Sequence, residues 1–205
     1  LISGLNFASY VLVKVVGQEH GIPLTGILGG LVSSTAVTLG FSQRSRHEPQ
    51  QSSSFALGIL MAWTVMFFRV LIAVAVINAD LARRLAPGVG ILGAVSLLSC
   101  AFLFTRRGEG EKASVKSGSN PFELGEAVKF GLLFGLVTLI AKAAEVYLGS
   151  AGLYLAGAVA GLTDVDAISL SMANLAEQQA DLIGVAARTI LIAVMSNTLV
   201  KTSMA

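Results

Sequence analysis

Two aspartates, Asp164 and Asp166, interrupt an otherwise apolar stretch of this 205-residue chain. Gly161 precedes them and Ser169 follows, so carboxylate and hydroxyl oxygens are concentrated there. Oxygen atoms of this kind bind Mg²⁺ and Ca²⁺ in proteins, and carboxylates also carry protons. Because residues two apart on a regular helix point roughly 200° away from each other, the aspartates can share a metal ion only across a helix break. The stretch is therefore a candidate ion site with Asp164 and Asp166 as its metal ligands.

A similar stretch earlier in the chain carries hydroxyl groups in place of the carboxylates, at Ser33, Ser34 and Thr35. In both stretches, small residues come shortly before residue types that favour the start of a helix. We therefore predict that a helix stops and restarts in each stretch and that the free groups surround an ion or solute. The glycines assigned to the breaks are Gly29, Gly30 and Gly161.

A simpler interpretation of the same residues stays open. Pairs of glycines four apart, Gly26 with Gly30 and Gly157 with Gly161, also allow two helices to pack closely. Asp164 would then only cap a helix at the surface.

Arg69 lies near the middle of an apolar segment, where a charge costs about 2.5 to 3.5 kcal/mol on insertion scales. We expect it to face a polar interior and to pair with Asp164 or Asp166. Arg188 is included in the site because it precedes Asn197 by nine residues, as Arg69 precedes Asn78. The alternative is a structural network of buried charges without transport.

The elements that position these residues are apolar segments of membrane-spanning length. The chain is 54% hydrophobic and 13% charged, with a mean hydropathy of +0.77, and blocks of about twenty residues cross a hydrocarbon core of roughly 30 Å. This predicts an all-α polytopic transmembrane bundle with segments near Ile2 to Val16, Ile22 to Phe41, Phe55 to Ile77, Val89 to Phe104, Phe122 to Leu148, Ala151 to Leu175 and Leu182 to Val200.

The loops between these segments predict the orientation. Polar stretches run from Ser42 to Ser54, from Asp80 to Pro87 and from Arg106 to Pro121. The first and third share a side if all seven segments cross. These two loops hold Arg44, Arg46, Arg106, Arg107, Lys112 and Lys116, whereas only Arg83, Arg84 and Lys201 lie on the opposite side. We expect the basic side to be cytoplasmic and the protein to be a multi-pass protein of a bacterial or archaeal inner membrane.

The chain also carries an internal repeat, because residues 26–39 align with residues 157–170. Within a single transmembrane domain of residues 1–205, this predicts a first repeat at about 1–79, a linking helix at 88–105 and a second repeat at about 122–205. If the second segment of each repeat crosses the membrane, the repeats are parallel. If that segment is re-entrant, the second repeat is inverted.

Composition excludes several classes of protein. A net charge of +2 gives no basic face for nucleic acid, and the single Cys100 excludes an internal disulfide. No grouping of a nucleophile, histidine and acid appears, and no phosphate loop, so we expect neither an enzyme nor a cofactor, with an ion such as Mg²⁺ as the ligand.

The stretches 25–39 and 160–170 resemble an uncharacterised prokaryotic membrane family, domain of unknown function 4010. The resemblance implies that the domain follows an MgtC/SapB-type membrane domain, which would account for a chain that begins at the apolar Leu1. It supplies no residue with an assigned role.

The leading hypothesis is a small permease or channel-like protein for a small ion, with Asp164, Asp166, Ser33, Thr35 and Arg69 around a central site. A divalent cation is slightly favoured. We expect a homo-oligomer in the lipid bilayer, because 205 residues form only a thin wall around a pore. The alternative is a structural or regulatory membrane subunit without transport activity.

Overall fold

The computed structural model describes residues 18–106 and 149–205, and these two ranges are helical without strands. The helices are α1 (Gln18–His47), α2 (Ser52–Ile77), α3 (Ala79–Arg106), α4 (Gly149–Gly161), α5 (Asp166–Gln178) and α6 (Ile183–Met204). Single turns of 3₁₀ helix, Pro49–Gln51 and Ala180–Leu182, precede α2 and α6. The predicted segments Ile2 to Val16 and Phe122 to Leu148 lie outside the described residues.

Four stretches are long and apolar enough to cross a membrane: Gly21–His47, Pro49–Ile77, Ala79–Thr105 and Ala180–Met204. Large apolar side chains on α3, including Ile91, Leu98 and Phe102, are more than half exposed, as expected where lipid replaces water. The protein is therefore a helical membrane protein. The predicted loop from Asp80 to Pro87 is wrong, because these residues form the first turns of α3, which continues through the proline.

The contacts divide the described residues into two units. The first consists of residues 18–66, 93–106 and 204–205, and the second consists of residues 67–92 and 149–203. Two boundaries fall inside α2 and α3, so each unit contains a part of both helices.

In the first unit, α1 doubles back on itself at Ser33, which has extended backbone angles (φ −161°, ψ 106°). Gly58 of α2 is approached by both Ile22 and Phe41: a Cβ atom on Gly58 would lie 3.2 Å from the Ile22 carbonyl oxygen and 2.5 Å from the Phe41 ring. In a straight helix these two residues would be about 28 Å apart. The chain must therefore reverse between them, and α1 is a helical hairpin despite having the length of a single span.

Glycines let the first arm of this hairpin touch the backbone of α2. A Cβ atom on Gly26 would lie 2.7 Å from Cα of Gly58, and one on Gly30 would lie 2.7 Å from Cα of Ala62. The second arm packs Phe41 against Phe55, with ring centroids 5.5 Å apart. Close helix packing is thus one role of Gly26 and Gly30, and the break itself lies at Ser33, three residues after Gly30.

The second unit repeats these backbone contacts at the same spacing. A Cβ atom on Gly157 would lie 2.8 Å from the Thr189 carbonyl oxygen, and one on Gly161 would lie 2.8 Å from Cα of Ala193. Each contact corresponds to one in the first unit, and all four residues are offset by 131 from their counterparts. The match of Arg69 and Asn78 with Arg188 and Asn197 has an offset of 119 residues, so these residues are not equivalent in the packing.

Candidate functional site

The candidate site is built on the break between α4 and α5 in the second unit. α4 ends at Gly161, and the carbonyl oxygen of Ala160 accepts hydrogen bonds from the backbone N–H groups of Thr163 (3.0 Å) and Asp164 (2.9 Å). The carboxylate of Asp164 then accepts from the backbone N–H of Asp166 at 3.2 Å. A short polar turn therefore ends one helix and begins the next, as the sequence predicted.

Arg69 of α2 forms an ion pair with Asp166 at the start of α5. The two side chains are 24% and 36% exposed. The expectation that Arg69 pairs with one of the two aspartates is confirmed, and the partner is Asp166.

A second polar contact fixes the other end of α5. Asn78 donates a hydrogen bond from Nδ2 to the Glu177 carboxylate at 2.9 Å, and its Oδ1 accepts from the backbone N–H of Leu81 at 2.8 Å. Since Arg69 precedes Asn78 and Asp166 precedes Glu177, α5 runs parallel to the last turns of α2. The predicted pair Arg69 and Asn78 therefore holds both ends of one helix.

Two side chains of α6 form hydrogen bonds with the end of α4. Asn197, 1% exposed, donates from Nδ2 to the carbonyl oxygen of Gly161 at 2.8 Å. Ser196 donates to the carbonyl oxygen of Ala158 at 2.8 Å. The carbonyl groups left free by the end of α4 are in this way partly satisfied by side chains.

Lys201 is a component of the site that the sequence analysis missed. The sequence pattern places Lys201 just after the last apolar segment, on the side of Arg83 and Arg84. In the structure it lies in the last turn of α6 and is 1% exposed. Asp164, Asp166 and Arg69 all interact electrostatically with its ammonium group. The signal that could have found it is its spacing of four residues from Asn197, which places both side chains on one face of α6.

Two buried oxygen atoms near the break have no hydrogen-bond partner among the described residues: Oγ of Ser169 and Oδ1 of Asn197. Both residues are 1% exposed. Buried polar atoms are almost always hydrogen-bonded in folded proteins, so each such atom needs an explanation.

The structure does not bring all the predicted site residues together. Arg188 is exposed, and nine residues of helix separate it from Asn197, so the two lie on opposite faces of α6. In the first unit, Ser33 caps the second arm of the hairpin by accepting from the backbone N–H of Ala36 at 3.2 Å. Ser34, Thr35 and Gly29 are buried beside that break.

The predicted metal ligands are Asp164 and Asp166. Asp166 is engaged by Arg69. Within residues 18–106 and 149–205, no group of three or more His, Cys, Asp or Glu side chains is placed to hold a metal ion. Asp164 and Asp166 as metal ligands therefore stay a prediction.

Comparison with known proteins places this arrangement in a family. The family model described as Domain of unknown function (DUF4010) matches residues 1–205. The chain belongs to this family. The DUF4010 chain is also 36% identical over 183 residues to an uncharacterized protein of Aquifex aeolicus (strain VF5), a match that covers 89% of this chain and 80% of that protein. No solved structure matches the DUF4010 chain.

Proposed function

We propose that this membrane protein transports a small ion and that the break between α4 and α5 forms its binding site. One observation carries the proposal. Lys201, Asp164, Asp166 and Arg69 form a charged cluster, with Lys201 almost fully buried, in a chain made largely of apolar helices. Ionisable groups in membrane segments are costly, and they commonly mark ion and proton pathways.

The local backbone supports this proposal. A helix that ends at Gly161 and restarts at Asp166 leaves peptide groups outside the regular hydrogen-bond pattern. At membrane depth such groups are tolerated only where protein or water surrounds them, and transporters use broken helices of this kind to bind ions. α4 has only 13 residues, or about 20 Å, which is too short to cross the membrane alone.

We propose a small ion as the cargo and do not retain the slight preference for a divalent cation that the sequence indicated. The ion pair with Arg69 compensates the charge of Asp166, which reduces the negative charge that a divalent cation would meet. The two acidic and two basic residues of the cluster balance, so the cluster alone selects neither sign of ion.

Flux through liposomes tests the proposed function. The purified full chain is reconstituted, and uptake of Na⁺, Mg²⁺, H⁺ and Cl⁻ is compared between wild type, Asp166→Asn and Asp181→Asn. Asp181 is an exposed aspartate of the turn before α6 and serves as the matched control. We expect flux of one ion that Asp166→Asn reduces and Asp181→Asn retains. Equal flux in all three proteins, or none above empty liposomes, would count against transport.

A second function, a structural or regulatory subunit, is favoured by the close glycine contacts and by the ion pair between Arg69 and Asp166. Here the charges hold the helices together and no ion binds. It predicts that Asp166→Asn lowers stability in detergent by the same amount in every salt, whereas a transporter is stabilised by its own ion.

The remaining architecture is part of the same proposal. The reversal of α1 at Ser33 and the equal spacing of the glycine contacts support a duplicated fold with a re-entrant second segment in each repeat, which makes the second copy inverted. Location in the inner membrane, a homo-oligomer and an MgtC-type neighbouring domain belong to this proposal as well.

A further inference from the structure

We propose that the break between α4 and α5 binds a monovalent cation of the Na⁺ type through the Asp164 carboxylate, the Ser169 hydroxyl and the Asn197 side-chain oxygen. This inference rests on the site of the proposed function and names its ligand. Binding is measured without transport, so the two proposals can fail separately.

The first support is the pair of buried oxygen atoms that the described protein leaves without partners. Asn197 donates a hydrogen bond from Nδ2 to the Gly161 carbonyl oxygen, so its Oδ1 atom lies beside the same break, and there it has no partner among the described residues. An unsatisfied buried acceptor costs about 1 to 3 kcal/mol. A bound cation removes that cost at both atoms, because oxygen acceptors are what it coordinates.

The second support comes from the corresponding position in the first unit. At the offset of 131 residues, Ser169 corresponds to Thr38, whose hydroxyl accepts a hydrogen bond from Nε1 of Trp63 at 2.8 Å. The residue that corresponds to Trp63 is Val194. The second unit therefore has a short apolar side chain where the first has an indole donor.

This correspondence also predicts that the two oxygens lie on one side of α6. Val194 precedes Asn197 by three residues, so both face the same direction on the helix. Both are buried, at 0% and 1% exposure. If Ser169 faces Val194 as Thr38 faces Trp63, its hydroxyl is directed at the side of α6 that carries Asn197.

Charge decides between a monovalent and a divalent cation. The two described ranges contain no ion pair of Asp164, whereas Asp166 is paired with Arg69. One carboxylate with two neutral oxygens supplies a single negative charge, which compensates the charge of a monovalent cation fully and that of a divalent cation only by half. Lys201, which faces the same aspartates, adds further repulsion that a divalent ion would feel twice as strongly.

The test measures equilibrium binding of ²²Na⁺ to the purified full chain in detergent, at constant ionic strength set with choline chloride. Asp164→Asn keeps the hydrogen bond to the backbone of Asp166, and Ser169→Ala removes a hydroxyl that has no partner among the described residues. Asp181→Asn and Ser203→Ala are matched controls at exposed positions. We expect saturable binding to wild type and to both controls, and a loss of affinity of about tenfold or more in the two site variants.

Thermal unfolding provides a second measurement that a purely structural role would not reproduce. In Na⁺-free medium, Ser169→Ala should be as stable as wild type or more stable, because the substitution removes an unsatisfied buried group. Adding Na⁺ should then raise the unfolding temperature of wild type and leave that of Ser169→Ala nearly unchanged.

Several outcomes would overturn the inference: no saturable ²²Na⁺ binding to wild type, equal binding to Asp164→Asn, or displacement of Na⁺ by a lower concentration of Mg²⁺. If ²²Na⁺ binds as described and liposomes show no flux, the cation site stands and the transport proposal fails. If another ion is transported in an Asp166-dependent way without Na⁺ binding, the transport proposal stands and the cation site fails.

Discussion

Replacing Gly161 with alanine tests the packing that holds the site together. A Cβ atom there would lie 2.8 Å from Cα of Ala193, whereas ordinary contact begins at 3.4 Å, so α4 and α6 must separate by more than about half an ångström. Overpacking of this kind costs about 1 to 3 kcal/mol. The separation also weakens the 2.8 Å hydrogen bond from Asn197 to the Gly161 carbonyl, and a buried amide left without its partner costs a similar amount.

We therefore expect Gly161→Ala to destabilise the protein by about 3 kcal/mol. For a chain of this length, this lowers the unfolding midpoint by about 6 to 12 °C. The measurement is thermal unfolding in detergent followed by far-ultraviolet circular dichroism. The matched control is Gly184→Ala in the first turn of α6, where a Cβ atom meets nothing within 4 Å. There, alanine should stabilise the helix by up to about 1 kcal/mol. If both variants unfold at the same temperature, the close contact between α4 and α6 is refuted.

Three further results follow from the described contacts. In a double-mutant cycle measured by chemical unfolding, the free energies of unfolding of Arg69→Gln and Asp166→Asn should be coupled by about 1 kcal/mol, because both side chains are partly exposed. Additive effects of the two substitutions would exclude the ion pair. Lys201→Met removes the ammonium group that interacts electrostatically with Asp164, Asp166 and Arg69, so the affinity for ²²Na⁺ should rise. An unchanged affinity would exclude repulsion between Lys201 and the bound cation. Trp63→Phe removes the hydrogen bond to Thr38 and should lower the free energy of unfolding by about 1 kcal/mol. In chemical unfolding, Thr38→Val should then destabilise the Trp63→Phe variant less than it destabilises wild type.

Local sequence rules were sufficient for the helical class, the membrane environment and the position of the break between α4 and α5, whereas the glycines assigned to the first break, Gly29 and Gly30, precede the actual break at Ser33. Apolar blocks of spanning length fix the first two, and Gly161 followed by Asp164 predicts the third because each residue type has its own place at a helix end. The partner of Arg69 was also predictable, since a charge in the middle of an apolar segment needs an opposite charge nearby.

Tertiary contacts decided what the sequence could not. Whether the chain continues straight or reverses after Ser33 depends on how α1 packs against α2, and hydropathy carries no information about direction. Lys201 is followed by Thr202 and Ser203, so its local hydropathy is that of a loop. Its burial is a property of the packed helices, which hydropathy does not describe. Arg188 was misplaced because a match of two residues nine apart did not share the offset of the packed helices.

The helical hairpin at Ser33 has a consequence for topology mapping. A segment that reverses halfway through a bilayer would leave by the leaflet through which it entered, so the proposed re-entrant topology predicts that both ends of α1, Gln18 and His47, lie on one side of the membrane. Any count of crossings based on length and hydropathy scores this segment as a full passage. Such a count inverts the assigned side of every later loop, and reporter fusions placed before and after α1 should give signals of the same sign.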